Sequence, residues 1–531
     1  MTLTSRFEGS TVASALVTRA TTDPGRPYLR FGGEVLTFGE IESKAEALAA
    51  SLSNLGLQAG NRLALVLPPC PEFVVAMFAS AKLGVAVVPL NPQLTASELQ
   101  YALRHSEAVC VVTIEEAFGT DYLALFEDLM PQLPDLRYLV TVGLEDLWYD
   151  DRVFQFEDLI SAGAGRDYAA AVAQPPERCF ALMYTSGTMG KPKGVMLSHA
   201  NLLAAAAGTA DAIGLVADDT VVGVSALFHV FGLGPGLLST LLAGASVVLH
   251  DETGARAMLE SVERHSATVH YGIPTHFVAE LDALTRRPYD LSSLRLVVIA
   301  GAPVGEELIE RLTGELGVAV TTAYSVTETS STISASGPDD PQEKRRFTVG
   351  RPIAGTSVRI LDPDGSELPV ESVGEIAARG PGVMLGYHRQ PKETSAAFDP
   401  EGYFLTGDLG LLDEEGYLHL VGRKKDVIIK AGFNVYPREV EARIESHPAV
   451  QEVAVVEIPD ALLGEAICAC IVPVEGAIVT GQEIVDWCRE TLADPKVPDM
   501  VQFVDELPRT DTGQVRRTDL SRALRTKGPS V

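Results

Sequence analysis

The sequence predicts an α/β protein. A large N-terminal domain holds two mixed or parallel α/β subdomains and a small β-barrel-like unit, and a small α/β domain follows at the C-terminus. Three observations carry this. The first 175 residues alternate helical and strand patterns in a βαβ rhythm. Beyond Val349, short strands are separated by Asp-Gly, Pro-Gly and Glu-Gly turns. A charged cluster, Arg423-Lys424-Lys425-Asp426, then precedes a second α/β stretch. The expected domains are 1–422 (subdomains 1–175 and 176–345, barrel-like unit 346–422), a hinge at 423–425, and 426–531.

The elements follow in order. Thr37-Phe38-Gly39-Glu40 reads as a capping box that opens a helix. Ile41, Ala45, Leu48 and Leu52 form its apolar face, and Gly56 stops it. Arg62 to Leu67 is a short strand, Phe73 to Leu83 a helix and Ala86 to Leu90 a buried strand. Strands recur at Val221 to Ser225, Ser246 to Leu249 and Leu296 to Ile299. The antiparallel unit uses Val358 to Leu361, Gly374 to Ala377 and Tyr417 to Val421. The last domain has helices at Arg438 to Ile444 and Gly481 to Leu492, with strands at Val453 to Ile458 and Ile467 to Val474.

Composition narrows the function. The 531 residues carry 42 basic and 71 acidic side chains, a net charge of −29. Such a field repels nucleic-acid phosphates and anionic lipid, so neither is an expected partner. The six cysteines are scattered among apolar neighbours and read as reduced core thiols of a cytoplasmic protein. No secretory signal is apparent. Thr220 to His250 lacks any Lys, Arg, Asp or Glu, but Gly223, Gly232, Gly234, Pro235, Gly236 and Gly244 interrupt it. It reads as a buried strand, a loop and a buried helix that line an apolar pocket, not as a membrane span.

The richest local signal is Tyr184-Thr185-Ser186-Gly187-Thr188-Met189-Gly190-Lys191-Pro192-Lys193-Gly194. Glycines bring backbone N–H groups close to a ligand, hydroxyls add donors and lysines add charge, which suits a polyphosphate. The common P-loop pattern is absent, and a surface hairpin is the alternative.

Further segments stand in a fixed order: Ala226 to Gly232 (ALFHVFG), Gly301-Ala302-Pro303, Ala323 to Glu328 (AYSVTE), Tyr403 to Asp408 (YFLTGD), Gly422 to Asp426 (GRKKD), Lys430 to Glu441, and Leu507 to Arg517. Together they resemble an acyl-CoA ligase of the adenylate-forming superfamily, which also holds luciferases and peptide-synthetase adenylation domains. The resemblance covers nearly the whole chain. It implies that Thr185, Ser186, Gly187, Thr188, Gly190 and Lys193 cradle phosphate, and that Gly301, Ala302, Pro303 and Ala323 run along the nucleoside. Tyr324 would stack on adenine, Thr327 would touch the α-phosphate and Glu328 would hold Mg²⁺. Asp408 would accept from both ribose hydroxyls, with Arg423 beside it. Lys425 would be the hinge of a mobile C-terminal domain, and Gly432, Phe433 and Asn434 would line the CoA tunnel. His229 would border the acyl pocket, which Phe231, Gly232, Gly236, Tyr271 and Gly272 would wall. The reaction implied has two steps, acyl-AMP formation from ATP and then thioesterification by CoA.

Departures from the family pattern fall largely on the first step. Gln514 stands where the resemblance expects a catalytic lysine, Met189 replaces a hydroxyl in the phosphate loop, and Ser325 replaces a glycine beside Tyr324. Removing a cation from a dry site with developing negative charge costs about 3 kcal/mol, roughly a hundredfold in rate. The expectation is a ligase that joins CoA to an acyl-adenylate which a separate adenylating enzyme supplies. A complete ATP-dependent synthetase and a non-catalytic acyl-AMP-binding scaffold are the alternatives. No basic residue follows Phe228-His229, so the acid should be apolar. Glycines 232, 234 and 236 are expected either to widen the pocket for a long-chain, aromatic or polycyclic acid or to serve close helix packing.

Overall fold

The computed structural model describes all residues except 1, 146–149, 169–173, 186–191, 225, 251–253, 303, 461–462, 510–513 and 528–531. Short apolar runs become strands buried on both faces. Ala86–Pro89 and Leu296–Ile299 are buried throughout, as strands of a helix-covered parallel sheet must be. The capping box at Thr37 forms, and helix Phe38–Asn54 buries Ile41, Ala45, Leu48 and Leu52 as its spacing requires.

Two large sheets make the N-terminal part. One has eight strands, in the order Gly386–Tyr387, Lys193–Ser198, Cys179–Thr185, Ala86–Pro89, Arg62–Val66, Cys110–Ile114, Tyr138–Val142 and Val153–Gln155. The other has nine, in the order Arg351–Pro352, Ser331–Ala335, Ala319–Val326, Leu296–Ile299, Val269–Gly272, Thr220–Val222, Ser246–Val248, Pro27–Phe31 and Glu34–Thr37. The sheets therefore interleave the chain more than the division at residue 175 implies. Pro27–Phe31 lies parallel to Ser246–Val248 in the second sheet, and Cys179–Thr185 joins the first. Strand neighbours chosen across such distances leave no local trace in a sequence.

The unit after Val349 is an open antiparallel sheet of four strands, Ser357–Leu361, Gly374–Arg379, Phe404–Leu412 and Leu418–Arg423, rather than a barrel. Its Ile360, Ile376 and Leu418 pack with Tyr324 and Ile333 of the nine-stranded sheet. This contact fixes Asp408 next to Tyr324. The C-terminal part carries a five-stranded sheet built on Gly464–Pro473 and Val450–Asp460. Cys468 and Cys470 share its one face, fully buried, and all six cysteines are free.

The stretch without charges departs from a simple strand, loop and helix. Gly232–Leu238 is a buried π-helix that continues into the α-helix Ser239–Ala243. Pro235 inside it has no N–H to donate, which favours a widened turn. No helix among the described residues is long and apolar enough to cross a membrane.

Candidate active site

Five separate segments meet at one hydrogen-bonded cluster. Strand Ala319–Val326 presents Tyr324, whose ring is only 6% exposed. Its hydroxyl donates to Asp408 Oδ2 at 2.7 Å. Asp408 stands opposite Arg423 in the pairing of Phe404–Leu412 with Leu418–Arg423, and Arg423 Nε lies 3.3 Å from Asp408 Oδ1. Arg423 Nη2 donates to Gln514 Oε1 at 3.4 Å, and Gln514 Nε2 donates to the Gly301 carbonyl at 3.1 Å. Gly301 turns the chain away from strand Leu296–Ile299 at φ 86°, a left-handed conformation suited to glycine. Burial pushes the Asp408 carboxyl above its ordinary range, against the opposing pull of Arg423 and the Tyr324 hydroxyl. Burial and the Asp408 charge together raise the Tyr324 hydroxyl.

Neighbouring positions are placed as follows. Ala323 is nearly buried in its strand, Ala302 is half-buried beside Gly301, and Pro303 lies outside the described residues. Thr327 and Glu328 open the short 3₁₀ turn Thr327–Thr329 and are half-buried. Lys425 is exposed in the 3₁₀ turn Lys424–Asp426 that follows Arg423. Arg517 is committed elsewhere: it pairs with buried Glu441, donates to the Val455 carbonyl at 2.7 Å and lies 3.6 Å from Asp426.

The phosphate loop rises from a hairpin in which Thr185 faces Lys193. Ser186, Gly187, Thr188, Met189, Gly190 and Lys191 lie outside the described residues. Lys193 Nζ sits 4.5 Å from the centre of the Tyr387 ring, and Tyr387 donates to Glu328 Oε1 at 2.7 Å. Both stems of the loop are tied to helix Ala96–Ser106. Tyr101 donates to the Pro192 carbonyl at 3.1 Å. Tyr184 donates to the Ala102 carbonyl at 3.1 Å, so its oxygen accepts from His105 Nδ1 at 2.8 Å. His388 packs edge-on against His105, and burial with nearby Arg62 pulls it down to about 4. Sequence reasoning missed Tyr101, His105, Tyr387 and His388, whose partners lie far off in the chain. Tyr101→Phe is expected to weaken adenylate binding on the order of fivefold, the worth of one net hydrogen bond. Calorimetric titration with a stable acyl-AMP analogue, beside thermal unfolding, measures it.

On the acyl side, His229 Nδ1 accepts from the Phe231 amide at 3.2 Å, which leaves the ring proton on Nε2. Burial holds this imidazole near 4, hence neutral at physiological pH. Phe231 meets Tyr271 edge-on at 5.5 Å. The glycines settle differently from a simple wide pocket. A Cβ at Gly232 would meet the Ala226 carbonyl at 2.2 Å, one at Gly236 would meet Val224 at 2.5 Å, and one at Gly272 would meet Phe277 at 2.7 Å. Their missing side chains are filled by neighbours, so close packing explains them. Gly236→Leu is therefore expected to overpack the core by about 1–3 kcal/mol. It should lower turnover of small and large acids alike, as thermal unfolding and a chain-length series would record.

Buried hydroxyls occur at Tyr271, expected above in the acyl wall, and along Ser330 to Ser334, which sequence reasoning passed over. Tyr271, Ser330, Ser331, Thr332 and Ser334 are buried, and their hydroxyl oxygens have no hydrogen-bond partner among the described residues. Each such group costs about 1–3 kcal/mol when left unsatisfied. The polar run Ser330-Ser331-Thr332 after Glu328 was the available signal.

Gly432, Phe433 and Asn434 are exposed on the hairpin that pairs Ile428–Lys430 with Phe433–Val435. Within this hairpin Ile429 pairs with Asn434 and Lys430 with Phe433.

Residues 16–388 match the family model of AMP-binding enzymes, and residues 439–514 match that of the AMP-binding enzyme C-terminal domain. The chain is 34% identical over 520 residues to a feruloyl-CoA synthase of Amycolatopsis sp., covering 95% of this chain and 97% of the relative. It is 36% identical over 488 residues to the 3-[(3aS,4S,7aS)-7a-methyl-1,5-dioxo-octahydro-1H-inden-4-yl]propanoyl:CoA ligase of Mycobacterium tuberculosis, covering 91% and 93%. The crystal structure of the anthranilate CoA ligase AuaEII with anthranoyl-AMP superposes with a TM-score of 0.89 at 28% identity, covering 98% of each chain.

Proposed function

The chain belongs to the AMP-binding enzyme family and is an acyl-CoA ligase of the adenylate-forming superfamily; from that premise we propose that it joins CoA to the acyl-adenylate of an apolar acid and has lost, or nearly lost, the adenylating half-reaction. One observation carries this reading. The side chain that reaches between Gly301 and Arg423 is the uncharged amide of Gln514. A lysine there could donate to the Gly301 carbonyl, but it has no acceptor for Arg423. Arg517 does not replace the charge, because Glu441 and Asp426 hold it.

The roles are those the resemblance implies: Asp408 would take the ribose hydroxyls, Tyr324 would flank the base, Thr327 would meet the α-phosphate, and neutral His229 would border the reacting carbonyl. The CoA sulfur bonds to the acyl carbon, the bond to the AMP oxygen breaks, and AMP leaves with that electron pair while the thiol proton passes to solvent. Lys425 would serve as the pivot that brings Gly432, Phe433 and Asn434 to the CoA path. Among the described residues no group of three or more His, Cys, Asp or Glu could hold a metal ion alone. By the resemblance, Glu328 would hold Mg²⁺ together with phosphate oxygens, a mode usual for that ion, where it would offset phosphate charge. A separate adenylating enzyme would supply the acyl-AMP.

The test offers acid, ATP, Mg²⁺ and CoA to one sample and synthetic acyl-AMP with CoA to another. Thioester only from acyl-AMP is expected. Rapid acyl-AMP formation from ATP would restore the reading as a complete synthetase, and no turnover of any acyl-AMP would leave a binding scaffold.

A further inference from the structure

We propose that Tyr387 is a positioning residue of the phosphate site: its hydroxyl sets the orientation of the Glu328 carboxylate that holds a divalent cation, while its ring face keeps the Lys193 ammonium available to phosphate oxygens. This rests on the ligase reading above, in which Glu328 and Lys193 serve those two groups, and adds the side chain that organises them.

Tyr387 is 6% exposed, and its hydroxyl lies 2.7 Å from Glu328 Oε1. An ionised carboxylate only accepts, so the phenol donates and one carboxylate oxygen is held in place. Lys193 Nζ lies over the same ring, 4.5 Å from its centre. A carboxylate prefers the O–H donor and an ammonium prefers the electron-rich ring face, so one side chain receives both charges at different places. Among the described residues no ion pair joins Lys193 directly to Glu328. The arrangement matters because a metal–phosphate ligand needs both charges unspent: a carboxylate for the cation and an ammonium for the anion.

The hydroxyl is not what holds this segment in the fold. The Met384 N–H donates to the Glu328 carbonyl at 2.8 Å, the Leu385 N–H to the Met196 carbonyl at 2.9 Å and the His388 N–H to the Gly194 carbonyl at 2.7 Å. The Tyr387 N–H donates to Thr394 Oγ1 at 2.9 Å, and the strand register sets Val195 opposite Tyr387. Backbone bonds therefore tie the segment both to the turn Thr327–Thr329 and to the phosphate-loop stem Lys193–Ser198. The phenol stands on that rigid base and spends its proton on Glu328. Removing the hydroxyl alone leaves the backbone ties and the ring, and releases the carboxylate to pair with Lys193.

The experiment titrates Mn²⁺, a paramagnetic substitute for Mg²⁺, into protein with α,β-methylene-ATP and follows water-proton relaxation, so no turnover is required. The native protein is expected to take up Mn²⁺ together with the nucleotide. Tyr387→Phe should raise the half-saturating Mn²⁺ concentration about tenfold, the worth of one hydrogen bond to a charged group. Its affinity for an acyl-sulfamoyl-adenosine, which carries no polyphosphate, should change little. Tyr387→Leu, which also removes the ring, should in addition weaken the nucleotide at saturating Mn²⁺, a loss that Tyr387→Phe is spared. Equal weakening of Mn²⁺ and acyl-sulfamoyl-adenosine in Tyr387→Phe would make the residue merely structural and overturn the proposal. An unchanged Mn²⁺ affinity in that variant, or no Mn²⁺ uptake by the native protein, overturns it as well. CoA thioester formation from acyl-AMP is measured separately on the native protein. Its absence would sink the ligase reading and leave the Mn²⁺ result, which involves no acyl group, standing.

Discussion

Replacing Gln514 by lysine is expected to raise acyl-AMP formation from ATP about a hundredfold or more. The amide already reaches between Gly301 and Arg423, so a lysine of similar length enters the same gap. A cation there would meet the charge that develops between carboxylate and α-phosphate, worth about 3 kcal/mol in a water-excluded site. Arg423 opposes part of the gain, because its guanidinium would face an ammonium where it now faces an acceptor oxygen. Its own pairing with Asp408 at 3.3 Å limits that repulsion. ATP–pyrophosphate exchange with an apolar acid reads the result directly. An unchanged rate, with wild type already fast, would show that the amide was never the defect. An unchanged rate with both proteins slow would move the defect to the phosphate loop, where Met189 stands. Thioester formation from supplied acyl-AMP should change little, which separates the two half-reactions.

Much of this site was legible because the sequence writes each part as a compact run. Tyr324, Asp408, Arg423 and Gln514 lie far apart in the chain, yet each sits in a short segment of recognisable chemistry, and the fold brings all four into one cluster. Local rules also sufficed for Thr37 and Glu40, whose capping box closes with hydrogen bonds of 2.8 and 3.2 Å. What escaped is non-local. Tyr101 and His105 hold the phosphate-loop stems across some 80 to 90 residues, and the pairing is visible only once helix Ala96–Ser106 lies beside the hairpin. Glycines are ambiguous for a related reason. Whether a missing side chain leaves space or admits a neighbour depends on that neighbour, and at Gly236 the neighbour is Val224. The π-helix likewise follows from packing around Pro235 that no periodicity announces.

Asp408→Asn is expected to weaken acyl-adenylate binding about a hundredfold while leaving the free protein as stable as before, or more so. The carboxylate can accept from two ribose hydroxyls at once, but the amide has one acceptor oxygen. Losing one charge-assisted hydrogen bond and weakening the other removes about 3 kcal/mol of binding. Stability runs the opposite way because burial raises the Asp408 pKa in the folded state. Between its ordinary pKa and that raised value the native protein binds more protons than the unfolded chain. The carboxylate's contribution is therefore most favourable at low pH and is lost as pH rises through the folded pKa. Above it the charge is a standing cost, which Arg423 and the Tyr324 hydroxyl offset in part. An amide removes the charge and still accepts from Tyr324, although Arg423 then loses its counter-ion. Thermal unfolding should show the wild type gaining stability relative to Asp408→Asn as pH falls from 7 towards 4. Binding of an acyl-sulfamoyl-adenosine at pH 7 should fall steeply in the same variant. A variant that lost both stability and affinity at pH 7 would mean that Asp408 is mainly a structural counter-ion for Arg423. One that lost affinity alone would place the strain of this buried charge in the service of the ribose.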